Sequence, residues 1–366
     1  MMGGWTLRKL RLGVIGCGNI KKKHIQAIFL NRDKIALTSV CDLYAERARD
    51  FRDSYLALTG DGENISIYTD YLQMLRKEKL DMASILTDSG KHYTIASDCM
   101  ERGINVLVEK PLALSLDEVD SLTRTASVNK VKLGVVHQYR FNPLISGLKH
   151  CIDTGRLGRL FYGVTTVRWN RNREYYTKSK WRGTKHLDGG VLMNQCIQNI
   201  DILQWLLGEK AAEVYAYKQN YAHPYIDTED TVLALIKFGS GMLGMVEGTV
   251  SIFSGNLENS IAVFGEKGSV KIGGKALNRI DVWDLEGCDS GAACAASGDK
   301  LSLIQSSGCH GYVYKDFINK LESREEPAIN GNEARKSIEI VLAIQQSAEL
   351  GLPVNLPLKG GTNNWE

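Results

Sequence analysis

The sequence predicts two domains: an α/β domain with a doubly wound parallel sheet, the Rossmann fold, and an α+β domain with a large, mostly antiparallel open β-sheet. A chain of 366 residues exceeds what one hydrophobic core usually serves, and its 43% hydrophobic residues can fill a sizeable interior. Short apolar runs alternate with helical periodicity over residues 1–138, as in a parallel sheet. In residues 139–366, β-rich runs follow one another, which indicates antiparallel pairing.

Six apolar runs in the first domain are predicted to be strands. They are residues 12–15, 35–41, 65–68, 82–86, 104–108 and 132–136. Helical patterns separate them: one ends near Leu30, one begins near Tyr44, and one covers residues 92–102. Ser115 is predicted to cap a further helix, because two acids would then lie in the first turn. Six strands suffice for a doubly wound sheet.

The second domain has five longer β-rich runs and one prominent helical segment. The runs are residues 160–169, 213–221, 231–238, 242–252 and 260–264. Residues 190–207 have helical periodicity, and residues 288–298, which are small and polar, are predicted to be a loop.

Charge and cysteine usage exclude several classes of protein. A net charge of +3 with mixed acids and bases gives no indication of nucleic-acid or membrane binding. The first apolar run is short and glycine-broken, so we expect no signal peptide, and no segment is long enough to span a membrane. Eight cysteines without metal-ligand spacing indicate reduced thiols, hence a cytoplasmic protein and no metal site.

A glycine turn follows the first strand and opens a helix. In Gly16-Cys17-Gly18-Asn19-Ile20 the first glycine can make a tight turn and the second can admit a pyrophosphate. Lys21 stands where a third glycine or alanine is expected, and it is the best phosphate-binding candidate among three consecutive lysines. Asp42 follows the second strand at the distance of an acid that binds ribose hydroxyls, and its charge favours NAD over NADP.

Glu109-Lys110-Pro111 ends the fifth predicted strand. In an open parallel sheet the ligand lies outside the carboxyl ends of the strands, so a lysine there can reach a substrate. Beside a cationic nicotinamide, the pKa of such a lysine can fall enough for it to accept a proton. Glu109 would position the Lys110 side chain or tune its pKa.

Cations and aromatic residues are interleaved between residues 168 and 185. The window holds seven cations, one acid and four aromatic rings. One short cluster in a nearly neutral protein favours a single nucleotide diphosphate over nucleic acid, with rings stacking on the base and guanidinium groups on phosphate. The alternative is a solvated basic loop packed by its tryptophans.

With these motifs placed, the chain resembles the Gfo/Idh/MocA family of two-domain oxidoreductases over nearly its whole length. Four motifs carry the resemblance: the glycine turn, residues 87–92, residues 109–111, and residues 187–195 running on to Asp201. Within the family, residues 138–143, 174–176 and 180–184 look most like bacterial dehydrogenases that oxidise C3 of UDP-N-acetylglucosaminuronic acid in surface-polysaccharide synthesis.

The resemblance implies hydride transfer from a sugar carbon to NAD, with Lys110 as base and Asn194 and Gln198 at the other catalytic positions. Besides Gly16, Gly18, Asn19, Ile20 and Asp42, the expected cofactor residues are Thr87, Ser89, His92, Glu109, Lys110 and Gln138. The expected substrate residues are Arg140, Asn142, Arg168, Tyr175, Tyr176, Trp181, Arg182, Asn194, Gln195 and Gln198.

One position departs from the family pattern. Many members place an aspartate and a histidine four residues apart where this chain has Asn194 and Gln198, and a glutamine cannot act as a base. Lys110 then acts alone, another group substitutes, or turnover is poor. His137 is the first candidate substitute and His310 the second.

Three functions follow as hypotheses. The first is an NAD-dependent dehydrogenase of a UDP-linked uronic acid or related nucleotide sugar. The second is a dehydrogenase of a free sugar or cyclitol such as inositol. The third is an NAD-binding regulatory or degenerate protein. The resemblance also implies assembly into homodimers or homotetramers through the open face of the second domain's sheet, where residues 232–236 are apolar in succession.

Overall fold

The computed structural model describes residues 8–60, 64–287 and 308–358. The chain divides into two compact units. The first, called here the Rossmann unit, comprises Met1–Leu112, Ser121–Val136 and Ser307–Gly331. The second, called the sheet unit, comprises Ala113–Asp120, His137–Ser306 and Asn332–Glu366.

The Rossmann unit contains a six-stranded, wholly parallel sheet in the order β3-β2-β1-β4-β5-β6. The strands are β1 Leu10–Ile15, β2 Ile35–Cys41, β3 Ser66–Tyr68, β4 Met82–Ile85, β5 Asn105–Glu109 and β6 Leu133–Val136. This is the doubly wound order predicted from the sequence. The order reverses between β1 and β4, so the ends of these strands flank the place where such sheets bind ligands.

Helices follow the strands of this sheet. They are α1 Lys21–Leu30, α2 Ala45–Thr59, α3 Tyr71–Lys77, α4 His92–Met100 and α5 Leu116–Val128. The predicted cap of α5 is present, since the Glu118 N–H donates to Ser115 Oγ over 3.3 Å. Cys17, Cys41 and Cys99 are buried thiols, as their apolar surroundings predict.

The sheet unit is built on eight strands in the order β13-β12-β11-β7-β10-β9-β8-β14. They are β7 Leu160–Arg168, β8 Ala211–Gln219, β9 Thr231–Phe238, β10 Leu243–Thr249, β11 Glu258–Gly265, β12 Gly268–Gly273, β13 Arg279–Leu285 and β14 Val354–Asn355. Only β7 and β10 pair in parallel among these. The predicted mostly antiparallel sheet is therefore confirmed, whereas β12 and β13 were not predicted.

Helices cover one face of this sheet. They are α6 Pro143–Asp153, α7 Arg173–Thr177, α8 Ile197–Leu207 and, near the chain end, α10 Gly331–Leu350. A π-helical turn, Leu192–Cys196, leads directly into α8. Helix α8 lies against β7 so closely that a Cβ on Gly163 would come within 2.8 Å of Leu203 Cδ1.

The units differ from the contiguous domains predicted at residues 1–138 and 139–366. Helix α9, Gly308–Ser323, belongs to the Rossmann unit, where it packs along α1. Asn31 Nδ2 donates to the Gly311 carbonyl, and a Cβ on Gly134 would touch the Phe317 ring. The sequence predicted α9 in the second domain, because nothing in the local sequence indicates that the chain packs again on the first domain.

Two of the sequence predictions concern residues that the structure does not describe. The loop predicted at residues 288–298 and two of the eight cysteines lie outside the described residues. The six remaining cysteines are free thiols. Within the described ranges, no helix combines the length and apolar character needed to cross a membrane.

Candidate active site

The glycine turn between β1 and α1 has the shape that a dinucleotide requires. Gly16 has φ +97°, and a Cβ there would come within 2.7 Å of the Leu86 carbonyl carbon, so only glycine fits. A Cβ on Gly18 would meet no atom within 4 Å, which leaves space for a ligand to approach the backbone. The first turn of α1 contains no acid. The turn therefore fits a pyrophosphate.

Asp42 is fixed beside this turn by two backbone donors. Its Oδ2 accepts the Cys17 N–H over 2.8 Å and its Oδ1 accepts the Tyr44 N–H over 3.0 Å. The carboxylate is half-buried at the end of β2. This placement agrees with the predicted ribose contact and the preference for NAD. Lys21, predicted to meet phosphate, pairs with Asp50.

The segment after β4 is tied to the turn after β5 by His92. The ring is 1% exposed, and its Nδ1 and Nε2 lie 2.7 Å and 3.2 Å from the carbonyl oxygens of Pro111 and Thr87. Burial lowers the pKa of His92, with partial opposition from these carbonyl contacts. His92 thus joins the segment that follows β4 to the segment that follows β5. Ser89, in the segment after β4, is also buried.

Glu109, at the end of β5, is the centre of a buried polar cluster. Its Oε2 accepts the Lys110 N–H over 3.0 Å, and its Oε1 lies 2.9 Å from His24 Nε2. His310, on α9, places Nε2 3.8 Å from the same Oε1. Burial opposes ionisation, but the interactions with His24, His310 and Lys110 together outweigh it and lower the pKa of Glu109 to about 2. Lys110 therefore has an anionic neighbour.

His24, Glu109 and His310 have the composition of metal ligands, and their donor atoms lie within 4.8 Å of one another. The sequence predicted no metal site. The Glu109 oxygen is already bonded to His24, and the positive charge of Lys23 acts on His310. A divalent cation would face that repulsion, so the geometry favours a hydrogen-bonded network.

In the sheet unit, the predicted residues Asn194 and Gln198 lie on either side of a change in helix geometry. Asn194 is in the π-helical turn and Gln198 in the first turn of α8. π-Helical turns are rare and frequently mark functional sites. Asn194 Nδ2 donates to Asp188 Oδ1, which fixes its amide. Gln198 is 8% exposed, and its Oε1 has no hydrogen-bond partner among the described residues.

Asp188 and Glu229 support the loop that precedes this turn. Asp188 accepts the Gly183 N–H over 2.7 Å, while Glu229 accepts the Leu192 N–H over 3.1 Å. Gly190, at φ +85°, lies against Glu229, and a Cβ there would come within 2.5 Å of its Oε1. Burial raises the pKa of Glu229 to about 7. Glu229 was not anticipated; a lone acid before an apolar strand carries little signal.

Two residues predicted to contact substrate have their polar groups occupied. The Arg140 guanidinium bonds both oxygens of Asp201, at 2.8 and 2.7 Å, and Glu333 Oε2 at 2.8 Å. The Asn142 amide caps α6 and donates to the Leu277 carbonyl. Both side chains are buried and are bonded within the framework of the sheet unit, so their contact with a sugar stays a prediction.

The other candidates in this segment are placed differently. His137, proposed as a substitute base, is fully buried, and its Nδ1 is 3.7 Å from Asp201 Oδ2. Gln138, predicted to bind the cofactor, is half-buried, and its Oε1 has no partner within the described parts of the chain.

The predicted nucleotide-binding window forms a cluster of arginines on an aromatic ring. The Arg182 and Arg171 guanidinium carbons lie 4.0 and 5.1 Å from the Tyr175 ring centre, and Arg182 lies 5.5 Å from that of Trp181. Gln195 Nε2 donates to Tyr175 Oη over 3.3 Å. Gln195 thereby links the cluster to the π-helical turn. These four residues are called the arginine–tyrosine cluster below: Arg171, Tyr175, Trp181 and Arg182.

Tyr176 and Arg168 do not join that cluster. Tyr176 is 6% exposed and packs against Tyr175, His223 and Tyr225, so its ring contributes to the packing of this loop. Arg168 is on β7, where Gly163 faces α8 and residues of the other parity face away. On that open face it bonds Glu247 and Glu258 at 2.6 to 2.8 Å. Strand alternation is the reason that it differs from the prediction.

Comparison with known proteins agrees with this architecture. The family model for the NAD-binding Rossmann fold of the Gfo/Idh/MocA oxidoreductases matches residues 10–137, and the model for their C-terminal alpha/beta domain matches residues 149–356. The WlbA dehydrogenase of Bordetella pertussis, solved in complex with NADH and UDP-GlcNAcA, is 33% identical. It has a TM-score of 0.88, with 97% of this chain and 100% of that chain covered.

Two further comparisons span the whole chain. The WlbA dehydrogenase of Chromobacterium violaceum, also solved with NADH and UDP-GlcNAcA, is 32% identical, with 97% and 98% coverage and a TM-score of 0.84. The scyllo-inositol 2-dehydrogenase (NAD(+)) of Bacillus subtilis is 25% identical over 362 residues, with 96% of this chain and 97% of the relative covered. Both matched domains and the fitted glycine turn make this chain an NAD-dependent oxidoreductase that belongs to the Gfo/Idh/MocA family.

Proposed function

We propose that the protein is an NAD-dependent dehydrogenase that removes a hydride from a sugar ring carbon, C3 of a UDP-linked N-acetyl-hexuronic acid. The observation that carries the proposal is the arginine–tyrosine cluster, joined to the π-helical turn through Gln195. Guanidinium groups bind diphosphate and carboxylate, and the faces of aromatic rings can stack on a base. Two similar proteins were solved with UDP-GlcNAcA.

In this proposal the candidate residues of each unit have distinct roles. Bound nicotinamide supplies the hydride acceptor. Lys110 takes the proton of the hydroxyl that is oxidised, which requires it to be neutral when substrate binds. Asn194, fixed by Asp188, orients a neighbouring sugar group. Gln198 cannot take a proton, but its unpartnered buried oxygen can accept a hydrogen bond from a sugar hydroxyl.

A panel of substrates tests the proposal. NADH formation is measured with UDP-N-acetylglucosaminuronate, UDP-N-acetylglucosamine and myo-inositol, each with and without 2-oxoglutarate to reveal a cofactor that stays bound. We expect activity confined to the uronate. Activity confined to myo-inositol would contradict the proposal, and NAD binding without any turnover would favour a regulatory or degenerate protein.

A dehydrogenase of a free cyclitol is the second candidate. Two relatives named as inositol dehydrogenases, from Thermotoga maritima and Bacillus subtilis, are 24% and 25% identical over nearly the whole chain. In that case the arginine–tyrosine cluster would be a structural loop. Micromolar binding of UDP that depends on Arg182 would count against this candidate.

We further propose that the sheet unit assembles into a homo-oligomer through its open face. Strand β9 alternates buried and exposed residues, and its exposed positions include Leu233 and Leu235, at 56% and 59% exposure. Leu235 pairs with Met245 on β10 and Tyr215 on β8, which continues the apolar surface across three strands. A second copy of this face would cover these apolar side chains.

A further inference from the structure

The hydrogen bonds around Glu109 engage both ring nitrogens of His24. The Tyr314 hydroxyl donates to Ser84 Oγ over 2.8 Å, so it must accept from His24 Nδ1, which is 2.9 Å away. His24 Nε2 therefore needs its own proton to bond Glu109 Oε1 over 2.9 Å. His24 is completely buried, and with both nitrogens donating it has the hydrogen-bonding pattern of an imidazolium beside the Glu109 carboxylate.

The titratable groups around Glu109 come from three helices and from the next residue in the chain. From α1 they are Lys23 and His24, from α4 His92, and from α9 His310, with Lys110 next in the chain. Burial lowers the pKa of His310 to about 3, and the positive charge of His24 contributes to that shift. His310 is therefore neutral chiefly because it is buried, and the neighbouring positive charge adds to that effect.

We propose that His24 is a positioning residue for the proton acceptor Lys110: its imidazolium offsets the Glu109 carboxylate, which would otherwise hold Lys110 as an ammonium. A lysine next to an isolated carboxylate keeps its proton, whereas one next to a neutral pair can lose it. Tyr314 and Ser84 orient the His24 ring through the bonds above. The inference rests on the proposed role of Lys110 as the base.

The test is the pH dependence of kcat for the full chain and four variants. His24→Gln keeps an amide donor but leaves Glu109 uncompensated, so the acidic limb of the profile should move up by about one pH unit, a tenfold fall in neutral lysine at fixed pH. The double variant His24→Gln/Glu109→Gln removes both charges and should return the limb to the wild-type position. Glu109→Gln alone should not move it upward.

His310→Gln is the matched control, since it replaces a neutral ring beside the same carboxylate. It should leave the position of the limb unchanged whatever it does to kcat. A His24→Gln limb at the wild-type position would overturn the inference, as would a shift that persists in the double variant. Thermal melting and NAD affinity establish that each variant is folded. A metal ion bound stoichiometrically by the purified protein would also overturn it.

A second readout separates this inference from the proposed function. If the wild-type enzyme oxidises none of the nucleotide sugars, the function fails while the electrostatic claim can still be measured. The rate at which Lys110 is acylated in the NAD-bound protein, followed by peptide mass spectrometry against pH, reports its ionisation directly. The same upward displacement in His24→Gln, and its reversal in the double variant, are expected. Identical acylation profiles would overturn the inference.

Discussion

At the scale of single residues, the position of Lys110 could be predicted from the sequence, but its surroundings could not. It follows Glu109 at the end of β5, where the sheet exposes backbone and side chains to ligand. The residue type, its place after a strand and the proline behind it were all readable in the sequence. The state of its neighbours was not, because His24 and His310 come from helices separated by most of the chain.

Replacing Lys110 with alanine should abolish turnover while changing NAD affinity by less than about tenfold, since the substitution removes the base and leaves the glycine turn intact. Steady-state kinetics and cofactor titration measure the two effects. Lys77→Ala, at an exposed lysine at the end of α3 in the same unit, is the control and should keep wild-type rates. Near-wild-type turnover by Lys110→Ala would remove it from the mechanism.

Gln198→Leu should raise KM for the sugar nucleotide by about tenfold, because a buried sugar hydroxyl would lose its acceptor. NAD affinity should not change. Gln198→Glu retains an acceptor oxygen and serves as the comparison. Equal KM values for the wild type and Gln198→Leu would mean that the unpartnered oxygen does not face substrate.

At the scale of elements, periodicity predicted most of the strands but not those that lack an apolar pattern, nor the π-helical turn. The strands of the Rossmann unit and β7 to β11 follow the predicted runs closely. Strand β12 has six residues, two of them glycines, and β13 interrupts its apolar residues with Arg279, Asp281 and Asp284, so neither had an apolar signature. The π-helical turn was also missed, since its sequence is an ordinary helical pattern.

The loop before that turn should make stability depend on pH through Glu229. Its pKa is about 7 in the folded protein, above the value of an unfolded glutamate, so the native state binds the extra proton. This contribution is complete below the unfolded pKa and is lost as pH rises through about 7. Melting temperatures of the wild type and Glu229→Gln should therefore differ in pH dependence between acidic and weakly alkaline buffer, with Glu229→Gln gaining relative stability as pH rises.

That difference isolates one carboxyl group because both proteins share every other titratable side chain. Glu339→Gln, at a partly exposed glutamate on α10, controls for the loss of a surface charge. Parallel curves for the wild type and Glu229→Gln across this range would show that Glu229 is ionised throughout.

At the scale of the whole molecule, sequence order was a poor guide to which segments fold together. Helix α9 lies more than two hundred residues after β1 in the chain yet packs along α1. The fold class and the family were nevertheless predictable, since the glycine turn, Asp42 and the motif at residues 109–111 are local. Arg168 was misassigned because a basic window does not reveal which strand face each residue occupies.

The open sheet face should determine the oligomeric state. Leu235→Glu places a charge in the centre of the apolar surface and should shift the protein toward monomers in light scattering coupled to size exclusion. Leu350→Glu is the matched control, because Leu350 is 58% exposed and Leu235 59%, but it lies at the end of α10. An unchanged mass for Leu235→Glu would place the interface elsewhere.

The most direct test of the proposed reaction is the fate of a label at the carbon that is oxidised. UDP-N-acetylglucosaminuronate deuterated at C3 is incubated with the enzyme and NAD, and the reduced cofactor is analysed by mass spectrometry and NMR. The account predicts one deuterium at C4 of the nicotinamide, together with a slower turnover than for the unlabelled sugar. Reduced cofactor without deuterium, or with label only when the sugar is deuterated at another carbon, would contradict oxidation at C3.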